Sequence, residues 1–225
     1  MKVNVFLLTY KRPSTFNVVL NSIYAQTVKP NEIYVINNNP DVKINFKDCI
    51  NINLSKNMGC RIRHAIALAT DYDYCLFVDD DVKLNPKAIE NFCNYAEKYP
   101  NSILGYYGRN IVPKEFYSLH CSNLFTNTEK EVDIILGMVH FCTKEHLLDS
   151  FKLEQDAKLK SKEDDIILSL SNNHYCTDKN YVIPYTQESS PVPLKSREKG
   201  ISGEPGHLDN RKNTVKAIME YFDGL

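Results

Sequence analysis

The first hundred residues alternate between short apolar runs and longer amphipathic segments, and this alternation limits the fold more than any other feature. The apolar runs at residues 3–8, 32–36, 50–54 and 74–78 predict strands, and helices are predicted near 15–26, 58–69 and 86–98. Residues 5–8, 33–36 and 74–78 are apolar on successive positions, which is typical of parallel strands covered on both faces. The sequence therefore predicts an α/β fold with a central, mostly parallel sheet flanked by helices.

The second half of the chain is less regular. Strands are predicted at residues 103–107, 111–112, 132–136 and 181–184, and helices at 143–150, 164–172 and 210–222. Residues 186–207 are rich in Ser, Pro, Gly and charge, which predicts a mobile loop. A length of 225 residues suits a single domain spanning residues 1–225.

Composition excludes several classes of protein. The net charge of −1 gives no overall field that would attract nucleic acid. No apolar run approaches 18 residues, so we expect no transmembrane segment, and residues 3–8 are too few for a signal peptide. Seven cysteines without a CxxC pair predict reduced thiols. We therefore expect a cytoplasmic chain, with peripheral membrane contact left open.

Three adjacent carboxylates, Asp79, Asp80 and Asp81, follow the fourth predicted strand directly. Ligands of open α/β sheets bind at the carboxyl ends of strands. Neighbouring carboxylates repel one another unless a cation lies among them, and their hard oxygens suit Mg²⁺ or Mn²⁺. The motif predicts a metal site, and the alternative is a solvated acidic turn.

Two further segments point to a bound nucleotide. Thr9 and Tyr10 end the first strand, where Tyr10 could stack on a base and Thr9 could hydrogen-bond its edge. Gly59 allows close approach of the backbone to a ligand, and Arg63 one turn later could reach a phosphate. The structural alternative is a helix cap followed by surface arginines.

The second half offers candidate acceptor-side residues. Residues 163–165 are Glu-Asp-Asp directly before an apolar run, which predicts either a general base or a favourable helix start. Gly137 follows a predicted strand and marks a turn or a space for a ligand. His207 lies in a Gly-rich segment and could ligate a metal, although a surface position explains it equally simply.

In chain order, these motifs resemble those of GT-A glycosyltransferases, especially family 2 and the exostosin-like family 64. The matching segments are LLTYKR at 7–12, VINNN at 35–39, NMGCRIRH at 57–64, FVDDD at 77–81 with its DXD motif, residues 137–147, and EDDI at 163–166. They span about residues 3–172. The chain has no QxxRW motif and no tryptophan, which argues against a processive polysaccharide synthase.

The resemblance implies a role for each motif residue. It implies donor binding by Thr9, Tyr10, Arg12, Asn38, Arg63, Asp79 and Asp80. It implies that Asp81 is the main ligand of Mn²⁺ or Mg²⁺ and that His207 is a further ligand. Asp165 is the implied catalytic base. Asp164 is the alternative, because three consecutive acidic residues can be aligned with the family motif in more than one way.

The resemblance implies transfer of a sugar from a nucleotide-diphospho-sugar, a UDP-sugar by preference, to a hydroxyl of a glycan or glycoconjugate. Residues 1–100 would bind the donor, 101–185 the acceptor, and 186–225 would form a mobile loop and C-terminal helix. Inversion is favoured, and retention stays open. Three alternatives fit parts of the pattern: a sugar-1-phosphate nucleotidyltransferase, a haloacid-dehalogenase-type phosphatase, and a non-catalytic carbohydrate- or nucleotide-binding module. The first lacks its Gly-rich loop here, and Lys83 breaks the motif of the second.

Overall fold

The computed structural model describes residues 1–112, 127–176, 178–195 and 203–224. Its helices are α1 (Pro13–Tyr24), α2 (Ile62–Leu68), α3 (Ala88–Lys98), α4 (Lys144–Asp156), α5 (Asp164–Tyr175) and α6 (His207–Asp223). Its strands are β1 (Val3–Thr9), β2 (Glu32–Asn37), β3 (Ile50–Asn53), β4 (Tyr74–Asp79), β5 (Val82–Lys83), β6 (Leu104–Gly105), β7 (Gly108–Arg109), β8 (Lys130–Val132), β9 (Ile134–Ile135), β10 (Val139–Cys142), β11 (Asn180–Val182) and β12 (Val192–Pro193). Part of the predicted mobile loop, residues 196–202, lies outside the described residues.

Eight strands form the central sheet in the order β3-β2-β1-β4-β10-β6-β11-β8. The first four are parallel to one another, and β10 then runs antiparallel to both of its neighbours. Strands β6 and β11 are parallel, and β8 is antiparallel to β11. The prediction of an α/β fold with a mostly parallel sheet is confirmed.

The two faces of the sheet are both covered by apolar side chains. Leu7 of β1 packs in one buried cluster with Val19 of α1 and Phe92 of α3. Its neighbour Phe6 points to the opposite face and packs in a second cluster with Leu168 of α5. Burying each such side chain contributes roughly 1.5–3 kcal/mol, so two-sided burial explains why residues 5–8 of β1 are apolar at every position.

A third apolar cluster joins the C-terminal helix to the rest of the molecule. Val215 and Ile218 of α6 pack against Ile166, Ile167 and Leu170 of α5. The N-terminus of α6 is thereby held beside the N-terminus of α5. Within the described ranges, no helix is long and apolar enough to span a membrane.

The structure differs from the predicted elements in several places, and β12 lies within residues 186–207, which are predicted as a mobile loop. Strand β10 was not predicted, although it lies between β4 and β6 in the sheet. Helix α2 begins at Ile62 instead of residue 58, because Gly59 adopts a left-handed conformation with φ of 76° that a helix does not allow. Residues 111–112, predicted as a strand, belong to neither helix nor strand.

A small ribbon supports the turn that follows β4. Strand β12 pairs antiparallel with β5, so that Val192 faces Lys83. The backbone N–H of Leu194 donates to the carbonyl of Asp81 at 2.7 Å. The acidic turn is therefore held by a segment more than a hundred residues away in the chain.

Candidate active site

The ends of β1 and β4 bring the first and fourth sequence motifs together. Asp80 is buried and accepts hydrogen bonds from the Thr9 hydroxyl at 3.0 Å and from the Tyr10 N–H at 3.4 Å. Arg12 donates to Asp80 at 3.3 Å and also pairs with Asp81. Asp80 therefore fixes the loop that carries Tyr10 and Arg12.

The three carboxylates differ in their surroundings. Burial raises the pKa of Asp80, against the opposing effects of Arg12 and the Thr9 hydroxyl. Partial burial raises the pKa of Asp79 to about 7, with Arg63 opposing the shift and Asp81 adding to it. The side chains of Asp79 and Asp81 keep 37% and 27% of their surface exposed, so both are accessible to a ligand.

Arg63 links this edge of the sheet to α5. Its guanidinium donates to Asp79 at 2.8 Å, to Asp164 at 3.0 Å and to the carbonyl of Gly137 at 3.4 Å. Burial, the largest effect, would raise the pKa of Asp164, but the charge and hydrogen bond of Arg63, together with the charges of His140 and Arg61, lower that pKa overall. Arg63 thus joins the predicted donor side to the predicted acceptor side.

Asp165 is saturated with hydrogen bonds. Its Oδ2 accepts from the Gly137 N–H at 3.1 Å and from Arg211 at 2.7 Å. Its Oδ1 accepts from the Ile166 N–H at 2.9 Å and from Arg211 at 3.0 Å. Four donors fill the roughly four lone-pair positions of a carboxylate.

The two predicted metal ligands, Asp81 and His207, contact different residues. His207 has its Nδ1 3.7 Å from Glu163, which Arg211 also contacts at 2.6 Å, whereas Asp81 pairs with Arg12. In the part of the chain that the structure describes, no group of three or more His, Cys, Asp or Glu residues is arranged around a metal position. A site that includes both His207 and Asp81 stays a prediction.

The donor chemistry at Asp81 nevertheless fits a hard divalent cation. Its carboxylate oxygens are partly exposed beside Asp79, and Mg²⁺ or Mn²⁺ commonly takes one or two carboxylates together with phosphate oxygens of a substrate. A cation on Asp81 would occupy the position that the Arg12 guanidinium holds.

Asn38, predicted to meet a base edge, instead ties two loops together with its side chain. The amide donates to Asn57 at 2.9 Å and to the carbonyl of Gly59 at 3.1 Å, and its oxygen accepts from the Met58 N–H at 2.7 Å. Tyr10 remains 41% exposed, with the amine of Lys11 5.0 Å from its ring centre. Of these two predicted donor contacts, only the Tyr10 ring presents a large exposed surface.

Sequence reasoning assigned no role to Arg211, although the structure makes it the partner of two acidic residues. Arg211 lies four residues after His207, so the two share one face of α6. The spacing of four residues between His207 and Arg211 is the sequence feature from which their shared helix face could be predicted. Its partners on α5 could not be read from the sequence.

Comparisons with known proteins agree on the type of domain. The sequence model described as Glycosyl transferase family 2 matches residues 4–154. The crystal structure of S. aureus TarS superposes with a TM-score of 0.59 at 16% identity, covering 87% of this chain and 37% of that one. A crystal structure of S. aureus TarS 1-349 in complex with UDP-GlcNAc gives a TM-score of 0.67 at 16% identity, covering 97% of this chain and 66% of that one. The chain thus spans about a third and about two thirds of these two structures. No curated protein sequence matches it.

Proposed function

The chain belongs to glycosyl transferase family 2, and from this premise we propose that it moves a sugar from a UDP-sugar to a hydroxyl group of a glycan or glycoconjugate. Its fold is the GT-A fold of glycosyltransferases. One observation carries the proposal: Arg63 connects Asp79, at the end of β4, to Asp164, at the start of α5. The carboxylates assigned to the donor side and to the acceptor side are therefore joined by one guanidinium.

Donor binding is assigned to the edge formed by β1, β2 and β4. The exposed Tyr10 ring would stack on the base, with Thr9 and Arg12 near the base or ribose. Asn38 would support the loop at Gly59 beside that base. Arg63, Asp79 and Asp80 would line the phosphates and the sugar. The chain superposes on a protein whose structure holds UDP-GlcNAc, which favours uridine as the base.

The proposed cofactor is Mn²⁺ or Mg²⁺, held by Asp81 with His207 as a further ligand. When bound, it would neutralise the charge that develops on the leaving diphosphate. The exposed carboxylates of Asp79 and Asp81 support this assignment.

Asp165 is the proposed base, with Asp164 as the alternative, and the reaction is proposed to invert. The acceptor oxygen attacks the anomeric carbon, the bond to the diphosphate breaks, and the hydroxyl proton passes to the carboxylate. Because Asp165 already accepts four hydrogen bonds, the acceptor hydroxyl must replace one of them. The acceptor-binding half is assigned to residues 101–185, and residues 186–225 are the segment that contains β12 and the C-terminal helix.

A thermal-shift screen of UDP-, GDP- and dTDP-sugars, each with and without Mn²⁺, tests the proposal. We expect UDP-sugars with Mn²⁺ to raise the Tm by several degrees, because a ligand at about a hundred times its Kd adds roughly 3 kcal/mol. Asp81→Ala should lose the metal-dependent part of the shift. Glu97→Ala, which removes an exposed carboxylate of α3, should keep it.

The same screen separates the alternatives. Metal-independent stabilisation that survives Asp81→Ala would favour a binding module. No shift with any nucleotide sugar would contradict the proposed donor site.

A further inference from the structure

Arg12 places a positive charge on the carboxylate assigned to the metal. Its guanidinium contacts Asp80 at 3.3 Å and also pairs with Asp81. Asp80 is itself fixed by Thr9 and by the backbone of Tyr10. Arg12 is therefore held by the fixed carboxylate of Asp80 while it pairs with the carboxylate of Asp81.

The Asp81 carboxylate already has a cationic partner without a metal. Arg12 pairs with Asp80 and Asp81, whereas the charge of Arg63 is shared between Asp79 and Asp164. A divalent cation on Asp81 would therefore share this carboxylate with the Arg12 guanidinium. Two cations at one carboxylate repel each other, and this weakens metal binding.

A diphosphate removes the conflict. Its oxygens offer ligands to the metal and accept charge-assisted hydrogen bonds from a guanidinium. With the diphosphate present, Arg12 gains a second anionic partner besides Asp80, and the metal gains access to the Asp81 carboxylate.

We propose that Arg12 competes with the divalent cation for Asp81, so that the metal binds tightly only together with the diphosphate of the donor. This inference rests on the proposed metal-dependent transfer and adds an ordered coupling to it. By linkage, metal and nucleotide strengthen each other's binding by the same factor. The coupling would keep the acidic turn free of metal until the donor arrives.

Mn²⁺ binding, followed by electron paramagnetic resonance of the free ion, tests the competition directly. The proteins are the wild type, Arg12→Gln and Arg12→Lys, each with and without UDP, after correction for Mn²⁺ bound by UDP in buffer. Without UDP, Arg12→Gln should bind Mn²⁺ roughly tenfold more tightly, because one like charge has gone. The further gain on adding UDP should be smaller than in the wild type. Arg12→Lys keeps the charge and should resemble the wild type.

Lys11→Gln is the matched control. This substitution also removes one positive charge, but from a residue whose amine lies over the Tyr10 ring and does not pair with Asp80 or Asp81. Its Kd for Mn²⁺ should stay within roughly twofold of the wild-type value, since an exposed charge is screened by solvent. Circular dichroism of each variant confirms that it is folded.

Two results would overturn the inference in different ways. If Arg12→Gln binds Mn²⁺ no more tightly than the wild type, while the wild type binds Mn²⁺ with UDP, then Arg12 is no competitor and the proposed function stands. If the wild type binds no Mn²⁺ even with UDP, the metal-dependent function is wrong and the coupling fails with it.

Discussion

At the scale of single residues, Gly105 shows how little room the centre of the sheet leaves. A Cβ placed there would lie 2.3 Å from Cγ2 of Ile135 and 3.1 Å from the carbonyl oxygen of Val139. Neither neighbour is at the surface, and the second is backbone. The position lies on β6, directly beside β10, so a side chain there would push β6 away from Ile135 and β10.

We predict that Gly105→Ala lowers the free energy of unfolding by roughly 1–3 kcal/mol, as overpacking of a filled core does. Urea unfolding at constant pH measures the change. Gly203→Ala is the control, since nothing lies within 4 Å of a Cβ at that position. Equal stability of Gly105→Ala and the wild type would show that Ile135 can move aside at no cost.

At the scale of elements, the start of α5 depends on α6. Glu163, Asp164 and Asp165 gather at this helix N-terminus, where the helix dipole favours negative charge. The dipole alone does not hold three buried acidic groups. Arg211 supplies the balancing charge through contacts to Glu163 at 2.6 Å and to Asp165 at 2.7 Å.

We predict that Arg211→Ala destabilises the protein by roughly 3–5 kcal/mol, because it leaves two buried carboxylates without their counter-ion. Thermal or urea unfolding measures this loss. Lys216→Ala on the same helix is the control, since its pair with Glu220 is exposed on both sides and contributes only about 0–1 kcal/mol. If the two variants lose similar amounts, the docking of α6 rests on its apolar face instead.

At the scale of the whole molecule, three buried histidines shape the response to acid. Burial lowers the pKa of His64, His140 and His146, and for His140 the value falls to about 4. An unfolded histidine titrates near 6.5. Below that pH the unfolded chain takes up protons that the folded chain excludes, so these groups contribute stability that is lost as pH falls. The raised pKa of Asp79 acts in the opposite direction.

The contribution of His140 is isolated by comparing the wild type with His140→Asn across pH. The wild type should lose roughly 2 kcal/mol more than the variant between pH 6.5 and pH 5, because only the wild type has this imidazole to protect from protonation. Urea unfolding of both proteins at several pH values measures the difference. Parallel curves would show that His140 is not kept neutral by burial.

The amino-acid sequence is enough to predict the parallel half of the sheet and the family. Strands β1, β2 and β4 are apolar along most of their length, and a run that is buried on both faces is visible without knowing its neighbours. The position of Asp79, Asp80 and Asp81 at the end of such a run is equally local. The resemblance to family 2 followed from the order of short motifs and is confirmed by the family match over residues 4–154. The resemblance to family 64 stays a prediction, as do the roles of the individual site residues.

The position of β10 and the pairing of each arginine with its carboxylate follow from the tertiary structure and not from the sequence. Strand β10 has four residues and contains a buried histidine, so its apolar pattern is too short to predict a strand in the middle of the sheet. Arg12 is 69 residues from Asp81, Arg63 is 101 from Asp164, and Arg211 is 46 from Asp165. Such pairings depend on how helices pack against the sheet, because Coulomb attraction acts over a few ångströms in space and carries no signature along the chain.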